Sequence, residues 1–269
     1  MVAFFTAVDG RYEASPFAVA RWSPRQIGGH AVCGLLAREL EKHCPDAEFV
    51  PARLTVDLFM PVVNDPIAVR AEVVRRGNRI VVADARIEQD GEVRARATAV
   101  FLRTGDTPPG RIWRSAHTLP DPPEPTDRDM HLVVQTGADD WTPDFGACQN
   151  AERKTIWQHQ PPLVAGEPTS AFQRAAIVGD TTNMVCNWGS QGVGYINSDM
   201  TLTLSRLPEG PELGLQAADH VAHDGISVGT ATLYDRLGRV GTCVVTAVSN
   251  SRRQLDFARI TAEHAAAHR

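Results

Sequence analysis

The chain has 269 residues, 43% of them hydrophobic, and a formal net charge of -5 at pH 7. That length suits one large domain or two small ones, and the acidic balance gives no reason to expect nucleic acid or an anionic membrane surface as a partner. No apolar run approaches the roughly 20 residues needed to cross a bilayer, and the start, Met1 to Asp9, lacks the basic region of a signal peptide, so a cytoplasmic location is expected.

Two short extended runs are predicted first, Ala3–Val8 and Phe17–Trp22, with Asp9-Gly10 as the turn between them. Ser23-Pro24 then punctuates the chain. Ile27–Lys42 reads as a helix with Val32, Leu35, Leu36 and Leu40 as its apolar stripe, stopped at Cys44-Pro45. Four extended runs follow: Ala52–Met60, Ile67–Val74, Ile80–Gln89 and Val93–Arg103. Asp90-Gly91 is a strong hairpin signal between the last two. Residues 105–129 carry six prolines and read as a linker over the surface, with Trp113 the candidate anchor.

The order of elements then repeats. An extended region around 130–160 leads to Pro161-Pro162 and a second helix, Ser170 to Gly189. Four runs follow it: Val193–Leu204, Leu213–Val221, Ile226–Tyr234 and Val240–Val248. The halves superpose in places, Leu54 to Pro61 on Met200 to Pro208, and Ile87 to Val93 on Tyr234 to Val240. Such self-similarity means two copies of one structural unit. The expected divisions are 1–105, a linker at 106–129, 130–250, and a helical tail at 251–269.

In the second helix Phe172, Ala175, Ala176 and Gly179 share one apolar face, and Asp180 and Asn183 continue it. A carboxylate on the buried side of a helix is costly without partners or a task. It either caps a break at Gly179 or is a working acid. Five cysteines at wide spacing suggest neither a disulfide framework nor a zinc site. His220 and His223 beside Asp224 hint at a metal, but no third ligand converges, and a solvated hairpin is the plainer reading. No metal or cofactor is expected. Nucleophile-elbow, Walker and dinucleotide motifs are absent from the sequence.

A long helix followed by antiparallel strands, twice over, fits a curved sheet wrapped around each helix, the two sheets joined edge to edge. With Gly28-Gly29 at the first helix and the Ala175–Asn183 segment of the second, the chain resembles the acyl-CoA thioesterase II-like (TesB-type) proteins. The resemblance implies an α+β double hotdog that hydrolyses fatty acyl thioesters carried on CoA or an acyl carrier protein, and further self-association to a homo-oligomer. It implies that Asp180 acts as general base or orients water. It also implies a helper early in the next strand, where Asn197 is the match and Ser198 the alternative, and a glutamine on the last strand, where counting from the Gly238 turn gives Thr246. Glycine backbones such as Gly28 and Gly29 can supply oxyanion donors, with Asn183 and His30 as further substrate-binding candidates. Setting Ile27–His30 on Ile177–Asp180 makes His30 the counterpart of Asp180; otherwise His30 caps its helix or faces solvent. The acyl chain is expected in an apolar tunnel beside the helix, near Phe172, Met184, Trp188 and Leu202. Two other functions stay open: a non-catalytic acyl-thioester binder, and an enoyl-thioester hydratase or dehydratase, whose usual Asp/His pair is not visible in the sequence.

Overall fold

Alternating burial along the strands places the sheets. On the strand Ile80–Gln89 the residues Val81, Ala83, Ala85 and Ile87 are buried while their neighbours are not, the pattern of a sheet with one covered face. The computed structural model describes residues 2–21, 23–125 and 130–261. In chain order the first half contains β1 (Phe5–Val8), β2 (Arg11–Ala14), α1 (Gly29–Glu41), β3 (Phe49–Leu58), β4 (Val69–Arg76), β5 (Ile80–Gln89) and β6 (Glu92–Arg103). The second contains β7 (His131–Thr136), β8 (Lys154–His159), α2 (Ala171–Asp180) and α3 (Thr182–Asn187). Its remaining strands are β9 (Trp188–Gly189), β10 (Gly192–Val193), β11 (Tyr195–Asn197), β12 (Asp199–Leu204), β13 (Leu213–His223), β14 (Ile226–Asp235) and β15 (Gly238–Ser249).

The large sheet runs β4-β5-β6-β3-β12-β15-β14-β13-β8-β7, with β11 added beside β15. The duplication is visible in that order, since β4-β5-β6-β3 is answered by β13-β14-β15-β12. The halves meet where β3 pairs with β12, Leu54 opposite Leu202 and Val56 opposite Met200. This is the double hotdog.

Both central helices are buried almost all round, α1 from Ala31 to Ala37 and α2 from Phe172 to Gly179, because each lies between a sheet and the other helix. They run antiparallel. Gly29 meets Asp180, Gly34 meets Ile177, and Glu41 accepts hydrogen bonds from Ser170 Oγ (2.7 Å) and Gln173 Nε2 (2.8 Å). Gly34 is what lets the helices approach, because a β-carbon there would lie 2.8 Å from Ile177 Cγ1.

Several expected elements differ. Asp9-Gly10 is a turn with both residues at positive φ, but it joins β1 to β2, not to Phe17–Trp22. Val19 makes only an isolated bridge with Ile27, and Trp22 lies outside the described residues. The second helix breaks at Thr181, whose hydroxyl donates to Val178 O (2.6 Å) and accepts from Gln158 Nε2 (3.0 Å); such back-bonding bends helices. The run Val193–Leu204 divides into β10, β11 and β12. Residues 104–125 form no strand or helix, and from His117 on the segment is tied to the sheet. His117 bonds Gln216 Oε1 (2.6 Å), and Arg236 donates to Pro123 O (3.0 Å). Trp113 anchors nothing, being 84% exposed. In the tail, Leu255 pairs with Val193 and only 257–261 are helical; the rest lies outside the described residues.

Candidate active site

Antiparallel packing brings the C-terminal end of α2 onto the N-terminal end of α1. Gly28 caps α1 in an extended conformation with no side-chain cap, and its carbonyl accepts from Ala31 and Val32 N–H (both 3.1 Å). Among the described residues the amides of Gly29 and His30 have no acceptor, as expected for the first residues of a helix. The half-buried carboxylate of Asp180 lies against that end, over Gly29. Asn197, at the end of β11, donates Nδ2–H to Asp180 Oδ1 (3.1 Å). Free amides, the positive end of a helix and a carboxylate thus converge on one spot.

Burial pushes the Asp180 carboxyl above its ordinary value, against the lowering effects of His30 and the Asn197 hydrogen bond. Burial depresses the His30 imidazole, opposed by Asp180 and the Phe17 carbonyl. The ring of His30 folds back beneath Gly28, whose β-carbon would lie 2.8 Å from Nδ1. Phe4 meets it edge-on at 5.2 Å. His30 and Asp180 thus influence each other's charge across the helix pair, with no hydrogen bond or ion pair between them among the described residues. Counting from the two N-caps, Gly28 and Ser170, the counterpart of Asp180 is Arg38, which is held by Glu167 in a bidentate pair (2.9 and 2.8 Å).

The other expected residues divide. Asn197 touches Asp180. Ser198 sits in the irregularity between β11 and β12, exposed, donating to Thr246 O (3.1 Å). Thr246 is a correction. Val245 and Ala247 are buried on the inner face, so the side chain between them points outward, beside the 42%-exposed Val228. The inward position is Ala247, opposite Asn197 and Ser227. A count made from one turn errs by one residue, and in a strand one residue reverses the face.

Asn183 does not contact Asp180. Its Nδ2 donates to Tyr195 O (3.1 Å) and its Oδ1 accepts from Asn187 Nδ2 (2.8 Å). Asn187 Oδ1 in turn accepts from Ser227 Oγ (2.9 Å) and meets His220 Nε2 (3.0 Å). Asn187, Ser227 and this role of His220 are not among the residues expected from the sequence. The signal for Asn187 was its spacing, four residues beyond Asn183 and seven beyond Asp180. His223 is exposed beside Asp224. The residues named for an apolar tunnel divide. Phe172 and Leu202 are fully buried core, Met184 is half-buried, and Trp188, stacked on Phe145 (5.6 Å) with Phe257 tilted against it (4.6 Å), forms part of the wall of the cavity beyond Asn187. That cavity has a volume of about 640 Å³. Among the described residues no helix is long and apolar enough to cross a membrane.

The curved sheets around paired helices place the chain among hotdog proteins. Residues 18–102 match the acyl-CoA thioesterase N-terminal domain and residues 106–248 the acyl-CoA thioesterase C-terminal domain. The chain belongs to this acyl-CoA thioesterase family. Among solved structures it is similar to a tesB protein of Mycobacterium avium subs paratuberculosis (14% identity, TM-score 0.65, covering 91% of this chain and 95% of that one). It is also similar to the acyl-CoA thioesterase II TesB2 of Mycobacterium marinum (13%, 0.61, 91% and 93%). A hot dog fold protein of unknown function from Alicyclobacillus acidocaldarius shares 18% identity at TM-score 0.65 over 90% and 94% of the two chains. At these identities the likeness is one of fold. No curated protein matches the sequence.

Proposed function

We propose that the chain hydrolyses acyl thioesters, with Asp180 as the base that activates water. The observation that carries this reading is the Asp180 carboxylate seated on Gly29 at the open end of α1. With the thioester oxygen on the Gly29 and His30 amides, Asp180 takes a proton from water as the water oxygen bonds to the acyl carbon. The C–S bond then breaks, and the sulfur leaves as thiol with the proton that Asp180 returns. The raised basicity of the half-buried carboxylate suits this work, the free amides offset the charge developing on oxygen, and Asn197 fixes the carboxylate. Thiol release from a panel of acyl-CoAs by the wild-type protein tests it; release supports hydrolysis, and silence across the panel with binding intact leaves a binding protein.

One observation favours a second reading, addition of water to an enoyl thioester. An acid and an imidazole, the pair such chemistry uses, lie at the same helix junction, Asp180 against Gly29 and the His30 ring against Gly28. Hydration consumes the enoyl absorbance without releasing thiol, so one assay separates the two. Self-association is retained as a proposal. It draws on the exposed outer-face side chains Val221, Ile226, Val228 and Val248, and sedimentation tests it.

A further inference from the structure

We propose that Asp199 is a positioning residue for this site: its carboxylate closes a β-bulge that turns Asn197 onto Asp180. The inference rests on the thioester reading above for what Asp180 does, and on geometry alone for how Asn197 reaches it.

The bulge is read from the register. Strand β11 pairs Asn197 with Ala247, and β12 pairs Thr201 with Val244. Four steps along this side of the ladder therefore face three along β15, the mark of one inserted residue. Ser198 and Asp199 share Thr246 between them. The Ser198 amide donates to Thr246 O (2.9 Å), and the Thr246 amide donates to Asp199 Oδ1 (3.0 Å). A carboxylate thus takes the place of the carbonyl that the ladder would have supplied, and no strand amide is left unpaired there.

The inserted residue decides which side chain faces the helix. Met200, Leu202 and Leu204 are buried on the inner face, so unbroken alternation would point Ser198 inward and Asn197 outward. With the bulge, Asn197 falls opposite the buried Ala247 and donates to Asp180 Oδ1 (3.1 Å). Bulges beside active sites re-aim side chains in this way.

The charge on Asp199 has a cost. It lies directly opposite Asp57 on β3, and like charges so placed destabilise a sheet. Arg96 is turned to Asp57 (2.7 Å), while Asp199 is met by the Thr246 amide and by Ser198 Oγ, 3.2 Å from Oδ2. A costly carboxylate next to the site fits a residue kept for the geometry it imposes. Asparagine retains an acceptor at Oδ1, so Asp199→Asn is the conservative variant.

The test reads thiol release and, independently, the NMR signal of the Asn197 side-chain amide, assigned by its loss in Asn197→Ala. Asp199→Ala is expected to lower kcat by about tenfold, the scale of one hydrogen bond to a charged group, with KM within about twofold of wild type. Asp199→Asn recovers most of that loss. Added to Asn197→Ala, Asp199→Ala costs less than about twofold more, because its effect passes through Asn197. In the wild-type background the Asn197 signal shifts when Asp180→Asn removes the charge it binds; in Asp199→Ala that response is lost. Asp199→Val, better suited to a strand, takes the place of Asp199→Ala if that variant folds too weakly. An undiminished rate in Asp199→Ala, losses that add in the double variant, or an amide signal that still responds to Asp180→Asn overturns the proposal. A lost amide response together with no thiol release by the wild type leaves it standing and sinks hydrolysis instead.

Discussion

The Asp180 carboxylate fills the space that a side chain on Gly29 would need. A methyl group on Gly29 would lie 2.7 Å from both carboxylate oxygens of Asp180 and 3.0 Å from its carboxyl carbon. Gly29 is not at a positive φ, so its value is room, not backbone freedom. Because the clash falls on the movable end of a side chain, Gly29→Ala displaces the carboxylate more than it strains the fold. Alanine also favours the helix by up to about 1 kcal/mol. The expected outcome is a loss of at least about tenfold in thiol release with a Tm within a few degrees of wild type. A Tm collapse, or full activity, contradicts this role.

Asn197 and Ser198 are neighbours with opposite expectations. Asn197→Ala removes the hydrogen bond to Asp180 Oδ1, worth about 1.5–3 kcal/mol when the acceptor is charged, and lowers kcat/KM by about tenfold or more. Ser198 bonds a backbone carbonyl away from the site, so Ser198→Ala stays within about 0.5 kcal/mol in stability and leaves turnover unchanged. Steady-state kinetics on the two variants side by side decide which residue serves the acid.

The pH profile follows from burial. The folded-state value of Asp180 is raised, so activity that needs the ionised form falls away as pH drops through a point above the ordinary carboxylate range. Asn197→Ala removes a lowering influence and moves that limb to still higher pH. The same raised value means that Asp180 favours the fold at low pH, and that this contribution is lost as pH rises through the folded-state value. Asp180→Asn is therefore expected to keep or gain Tm near neutrality, the usual sign of a residue kept for function. Denaturation scans across pH check it; a destabilised Asp180→Asn protein contradicts it.

Far from this site, Arg206 Nη1 and Nη2 hold the buried Asp235 carboxylate at 2.6 Å each, and the amides of Glu209 and Leu237 add 2.9 Å bonds. Although burial works against it, these partners hold the Asp235 carboxyl below its ordinary value. Its stabilisation is present above the unfolded-state pKa and lost as pH falls through the folded one. Arg206→Ala strands the charge and is expected to cost about 3–5 kcal/mol, read by denaturant titration.

The parts of the fold legible in the sequence were those set by local chemistry. Asp90-Gly91 makes the β5–β6 turn with both residues at positive φ, and the apolar face of α2 is core. The repeat was legible because both copies keep the same order of elements. What escaped was set by contacts distant in sequence. Nothing between Gly28 and Glu41 signals that α1 meets α2 head to tail, yet that packing makes His30 a neighbour of Asp180 and Arg38 its counterpart. Thr246 and Ala247 differ by one step of a two-residue period, and only the pairing of β15 with β11 and β14 decides which faces inward. The break at Thr181 depends on Gln158, 23 positions away.

The most direct test of the central claim is the rate of thiol release by Asp180→Asn against wild type on the best acyl-CoA substrate. A fall of about a hundredfold or more, the scale of a lost general base, with folding and acyl-CoA affinity retained, is the predicted result. A rate within a few-fold of wild type would mean that the water is activated elsewhere, and the reading of this helix junction as the active site would be wrong.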